Sequence, residues 1–198
     1  MTPKQADRLR KKITDIRRTL AAEKKKFGAY DDSRGLRYFP TRYYIQLGDF
    51  KGGLTYLRWF EKSFPDDAGF ADFLFEWTLI LFQNGKLRDA AQKAMDTHRA
   101  DIHLLDAFLE RPSTPTEPWE QLPLDADAYT PYFAALGGQS TLPAFTEWLG
   151  TLTLTEVFLA GSSQFIDLNR QLHGETDLEK RHFLVRQLYP VHDASSGT

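Results

Sequence analysis

The chain contains no cysteine. That one absence excludes disulfides, thiolate zinc sites, iron–sulfur ligation and a cysteine nucleophile. It fits a reducing compartment, and a cytoplasmic location is expected. Long hydrophobic runs are missing too. The most apolar stretch, Phe70 to Phe82, has ten apolar residues in thirteen and is interrupted by Asp72 and Glu76. It is too short for a membrane span and is expected to be a buried core helix. The N-terminus has charge but no apolar segment of the secretory kind, so a soluble protein is expected. No run alternates with period two for long enough to suggest a strand. The expected fold class is all-α.

Local catalytic motifs are equally scarce. There is no phosphate-binding glycine loop, nucleophile elbow or zincin pair. Gly137-Gly138-Gln139-Ser140 lacks the lysine that a phosphate loop requires. His98, His103, His173, His182 and His192 lie scattered. His98 and His103 are five residues apart at a helix boundary, a poor spacing for metal ligands. His173 before Gly174 suits a helix end, where a cation meets the negative end of the dipole. No metal, cofactor or catalytic residue is expected, although a composite pocket needs no local motif.

Aromatic residues and asymmetric charge are what the chain has in quantity. Fifteen Phe, eight Tyr and four Trp supply an aromatic-rich core. Residues 1–30 carry a net charge of +7, and the remainder carries −9, for a total of −2. A basic arm can bind phosphates, dock on the acidic body of its own chain, or remain a solvated face.

The first helix is expected over Pro3–Phe27, capped by Thr2 and stopped by Gly28. Ala6, Leu9, Ile13, Ile16, Leu20 and Phe27 form a narrow apolar seam, interrupted by Glu23. Asp31 to Gly35 is turn-rich. Four helices follow, at about 36–46, 50–64, 69–83 and 86–99, with a short one at 102–109. Four prolines within residues 111–124 exclude helix there and mark a connector, with Trp119 expected to pin it to the body. Further helices are expected at 125–136, 142–152, from Thr153 to about Leu172 with a kink at Gly161-Ser162-Ser163, and from Thr176 to about Tyr189. Thr153–Glu156 and Thr176–Glu179 have capping-box spacing. The organisation is then a basic helix (1–30), two helix pairs and a short helix (31–110), the connector (111–124), C-terminal hairpins (125–190) and a disordered tail (191–198).

One spacing occurs twice, 37 residues apart. Gly48, Gly53, Leu57 and Phe60 are matched by Gly85, Ala90, Ala94 and Thr97, and upstream Thr41 and Tyr44 are matched by Thr78 and Leu81. A fixed period of this length marks a helical-repeat architecture. The two units resemble tetratricopeptide repeats. Gly48-Asp49-Phe50 and Gly85-Lys86-Leu87 match the central turn, Gly53 and Ala90 the small residue at the helix crossing, and Pro65 the closing proline. The second unit departs from the pattern, with Ile102 where the closing proline falls, and the first has Pro40 where an aromatic is usual. The resemblance covers roughly residues 34–100. The whole chain, especially residues 31–38 and 52–60, is similar to a small group of bacterial tetratricopeptide-repeat proteins of unknown function. The resemblance implies a short right-handed solenoid.

Such solenoids bind partners along a concave face lined by the first helix of each pair. The resemblance places Tyr38, Arg42, Ile45 and Gln46 there, with Asp72, Phe75, Leu79, Phe82 and Gln83. The expectation is a non-catalytic adaptor or assembly module holding an unidentified protein or peptide. The competing reading makes Phe75, Leu79 and Phe82 core, with the terminal helices filling the groove. The basic helix is expected to dock through its seam, on its own chain or in a homodimer. The alternative function is a nucleic-acid-associated one, with Arg8, Lys11, Lys12, Arg17, Arg18, Lys24, Lys25 and Lys26 contacting phosphates. Phe27 is the only aromatic on that helix, so base stacking is not expected. No membrane partner is expected.

Overall fold

The computed structural model describes residues 1–30, 32–112, 115, 117–119, 126–137, 139 and 142–189, with backbone alone at 126–128. Among them 76% are helical and none is in a strand, so the chain is all-α. The described residues form ten α-helices: α1 (Pro3–Phe27), α2 (Phe39–Leu47), α3 (Phe50–Ser63), α4 (Ala71–Gln83), α5 (Leu87–Ala100), α6 (Leu104–Phe108), α7 (Ala126–Leu136), α8 (Pro143–Leu152), α9 (Glu156–Gly174) and α10 (Leu178–Leu188). Among the described residues no helix is long and apolar enough to cross a membrane. The tail at 191–198, Asp31 and most of the 111–124 connector lie outside the described residues.

Helix α1 starts in a reciprocal capping box between Thr2 and Gln5 and stops where Gly28 turns left-handed at φ 75°. Its seam is spent on its own chain, because α1 packs along α2 and the turn before it. Ile13 joins a cluster with Tyr44 and Tyr56, and Leu20 is buried. Phe27 does not belong to the seam, since it is 57% exposed. Its inward place is taken beyond the cap by Tyr30, whose ring meets Phe64 at 4.8 Å and Trp59 at 5.8 Å. Glu23 is half-buried and lies 3.7 Å from Arg34.

The second helix starts later than its apolar pattern suggests. Leu36–Tyr38 form a 3-10 turn. The Asp32 carboxylate accepts the Leu36 and Arg37 amides, both at 2.8 Å. Pro40 then occupies the first turn of α2, where its missing N–H costs nothing. Gly48 and Gly85 both turn left-handed, at φ 67° and 71°, a conformation that favours glycine. Asp49 caps α3 through the Gly52 amide.

The repeated small residues sit where helices cross. A Cβ on Gly53 would lie 3.0 Å from Ile80 Cδ1 and 3.3 Å from Tyr44 Cβ, so α3 approaches α2 and α4 too closely for a larger side chain. Ala90, Ala94 and Thr97 are at 0% exposure on the α5 face toward α4. The Thr97 hydroxyl pairs with Thr78 at 3.4 Å.

The C-terminal helices differ in detail from their sequence signals. Thr155, not Thr153, caps α9. The Thr153 hydroxyl instead bonds back to Leu149 O and receives Arg111 at 2.8 Å. Asp177, not Thr176, caps α10. In both pairs the residue nearer the first helical turn reaches the free amides. Helix α9 runs on through Gly161-Ser162-Ser163. These small residues serve a close approach to α5 instead: a Cβ on Gly161 would lie 2.9 Å from Met95 Cε, and Ser162 Oγ meets His98 Nε2 at 2.8 Å. Trp119 is half-buried, and the connector is also held by Glu117, which takes a bidentate contact from Arg170 at 2.5 and 3.0 Å. Ile102, Phe165, Leu168, Leu184 and Leu188 make a small separate core for α9 and α10.

Ala90→Leu should lower stability by about 1–3 kcal/mol, the cost of overpacking a filled crossing. Denaturant or thermal melts would show it, and an unchanged melting curve would contradict the tight crossing.

Candidate binding site

The strip expected to line a concave surface is divided by the structure. Phe75 and Leu79 are at 0% exposure. The Phe75 ring meets Phe108 at 4.9 Å, Phe133 at 5.5 Å and Phe145 at 5.7 Å. Phe82 is half-buried against Trp148 at 4.9 Å and Phe145 at 5.3 Å. Helices α7 and α8 therefore cover this part of α4, and these three residues are core rather than exposed anchors. The cover is aromatic and non-local, supplied by a region that carries no repeat spacing. Gln83 is exposed at the end of α4.

Arg42, Asp72 and Glu76 meet in an ionic junction. Arg42 Nε donates to Glu76 Oε1 at 2.8 Å, and its Nη2 to Asp72 at 2.9 Å. The Thr41 hydroxyl donates to Glu76 Oε2. From α7, the Tyr132 hydroxyl donates to Asp72 O at 2.9 Å and lies 3.4 Å from Glu76 Oε1. The Arg42 guanidinium stands 4.7 Å over the Tyr132 ring. Burial pushes the Glu76 carboxyl up to about 7, with Arg42 and Thr41 opposing. Burial also drives the Tyr132 hydroxyl well above its ordinary value.

A second network stands beside it. Arg37 bridges Asp67 at 2.6 Å and Asp32 at 3.2 Å, and the Tyr38 hydroxyl donates to Asp67 at 2.8 Å. Burial and the Asp67 contact push Tyr38 up to about 12. Tyr38 is thus a tie between α2 and the α3–α4 connector. A cleft of about 240 Å³ between the networks is lined by Arg34, Tyr38, Phe39, Phe70, Asp72 and Glu76 among others.

The remaining expected residues converge elsewhere. An open groove of about 850 Å³ runs between α1, the C-terminal end of α2 and the end of α7. Leu9, Ile45, Leu47, Phe50, Leu136 and Leu142 give it an apolar lining, and Arg8 and Lys12 flank it from α1. Among the described residues no Asp or Glu lines it. Gln46 spans α2 and α7 by donating to Ala135 O at 2.9 Å. Lys12 stands 5.3 Å over the Tyr43 ring. Two sequence expectations, the α2 face and the basic helix, therefore meet in one groove.

The other basic residues of α1 do not gather there. Arg18 pairs with Asp15 at 3.3 Å, Lys24 stands over Tyr30 and Lys26 over Phe27. Lys11, Arg17 and Lys25 are exposed. Sequence reasoning missed the α7 wall, which no local spacing announces.

His98 is buried against Phe158, and burial holds its pKa below the ordinary value. Among the described residues no group of His, Asp and Glu is placed to hold a metal ion. Comparison with protein-family models, curated proteins and solved structures finds no match to this chain.

Glu76 generates a pH-dependent prediction. Its native pKa is raised above the unfolded value of 4.5, so the folded state holds this proton more tightly. The stability this contributes is complete below about 4.5 and is lost as pH rises through about 7. Arg42 offsets the ionised form, so Arg42→Ala should cost little at pH 5. At pH 8 the cost should rise by up to about 1.4 kcal/mol, the most that one carboxyl with a midpoint near 7 can add one pH unit above it. Denaturant melts at the two pH values test this, and an equal cost at both would contradict it.

Proposed function

We propose that this chain is a non-catalytic binding module of the tetratricopeptide-repeat type. Its two helix pairs, α2–α3 and α4–α5, form a rigid scaffold that holds a segment of a partner protein in the groove between α1, α2 and α7. The observation that carries the reading is the composition of that groove: an apolar lining, two cations and, among the described residues, no carboxylate on an open groove of about 850 Å³. Apolar side chains of the partner supply contact area, and acidic side chains meet Arg8 and Lys12. These cations are four residues apart on α1, about 6 Å along the helix, so two carboxylates of a short segment can reach both. Charges at a rim govern association rate and partner choice more than affinity. The partner is therefore an acidic segment with apolar anchors.

A protein segment is favoured over nucleic acid because only two of the basic α1 residues line the groove and the cations of α1 otherwise point in several directions. A phosphate-binding surface would use them together.

Selection from a displayed peptide library tests the proposal. Peptides enriched on the wild-type protein should carry Asp or Glu beside apolar residues. The Arg8→Glu, Lys12→Glu double variant should bind them at least tenfold more weakly. Enrichment indifferent to charge and to the double variant would overturn the acidic preference. Retention of nuclease-sensitive material alone from a lysate would move the function to the basic helix.

A further inference from the structure

Glu76 lies outside the groove, and its surroundings need a separate account. It is 1% exposed, in the middle of a helix that is mostly apolar. Part of its cover is α7, a helix with a weakness of its own: Pro131 lies inside it and cannot donate a backbone hydrogen bond. Polar ties to the body come from Tyr132, through Asp72 O and the Arg42 guanidinium, from Ala135 O, which accepts from Gln46, and from the Tyr129 hydroxyl, which donates to Asp101. Tyr132 is the side chain that places α7 against Glu76 Oε1.

Lifting α7 returns water to Glu76. Hydration gained this way favours an ionised carboxylate far more than a neutral one. The docked arrangement must then prefer the neutral acid by the same free energy. The geometry points to α7 as a proton-linked cover, closed over neutral Glu76 and loosened when Glu76 ionises. The groups acting on Glu76 are Arg42 and Thr41 from α2, Asp72 one turn earlier on α4, and Tyr132 from α7. Arg34 and Tyr38 line the cleft that leads to it. Arg42 and Thr41 favour ionisation and Asp72 opposes it. The cleft of about 240 Å³ gives protons a route to the carboxyl with α7 in place.

The direction is fixed by the same linkage. Opening of α7 rises with pH between the ordinary carboxyl value of 4.5 and about 7, then levels off. Its upper limit is about tenfold per pH unit for one proton. Residues Ala134 to Gly137 at the end of α7 wall the peptide groove. Resting on the groove reading above, peptide affinity should change over the same window.

Amide hydrogen exchange from pH 5 to pH 8, corrected for intrinsic rates, tests the cover without any ligand. In the wild-type protein the opening constants of Tyr132, Phe133 and Leu136 should rise with pH and level off near 7. Amides of α5 and α9 should have opening constants at least tenfold smaller at every pH, because α7 opens without the rest. In Glu76→Gln the α7 slope should vanish. Opening constants in α7 no larger than those in α5 and α9 would overturn the proposal, and so would an unaltered α7 slope in the variant. Should the variant fail to fold, the wild-type comparison alone decides. Titration of a library-selected acidic peptide at pH 6 and pH 8 then reads the groove separately. If α7 responds to pH and no peptide binds, the groove reading fails and the proton-linked cover stands.

Discussion

A carboxylate buried where three helices meet is the constraint on which the rest of the arrangement depends. Glu76 sits on α4, receives Arg42 and Thr41 from α2, and lies under Tyr132 of α7. Removing a charge from water costs several kcal/mol unless it is paired and hydrogen-bonded. Arg42 and Thr41 supply that pairing only if α2 lies against α4 in one register. The junction thus fixes the first helix of one hairpin against the first helix of the next, and it gives α7 a defined place to dock. An apolar residue at 76 would pack as well and specify less.

The aromatic core extends from that junction. Phe75, one residue before Glu76, faces Phe108, Phe133 and Phe145, while Phe82 meets Phe145 and Trp148. Edge-to-face and tilted aromatic pairs of this kind add about 0.5–1.5 kcal/mol each beyond burial. They draw α7 and α8 over α4 and use up surface that an open solenoid would present to a partner. The other end of α2 is left open, between α1 and the end of α7. The groove is thus a consequence of how the terminal helices cover the repeats.

Local features of the fold were legible in the sequence, and long-range ones were not. Thr2, Gly28, Gly48 and Gly85 announced helix ends because capping and left-handed turns use a few neighbouring residues. Gly53 and Ala90 announced crossings because a missing side chain has few other uses at that spacing. Thr41 and Thr78 share a repeat offset, yet one hydroxyl serves Glu76 and the other Thr97. Arg42 stood among the candidate residues and Glu76 was visible as a charge in an apolar run, but nothing in a separation of 34 residues pairs them. Thr153 and Thr176 fit the capping pattern, and Thr155 and Asp177, better placed, took the role. Phe27 kept the seam's spacing while Tyr30, past the glycine stop, took the inward place.

The measurement that tests the account most directly is a titration of the Glu76 side-chain carboxyl in the intact protein, by carbon-detected NMR with assignment through Glu76→Gln. The account predicts a midpoint near 7, raised by burial beneath α7. A midpoint near the ordinary 4.5 would mean that Arg42 and Thr41 cancel the cost of burial, and the neutral acid on which the proton-linked cover rests would be contradicted.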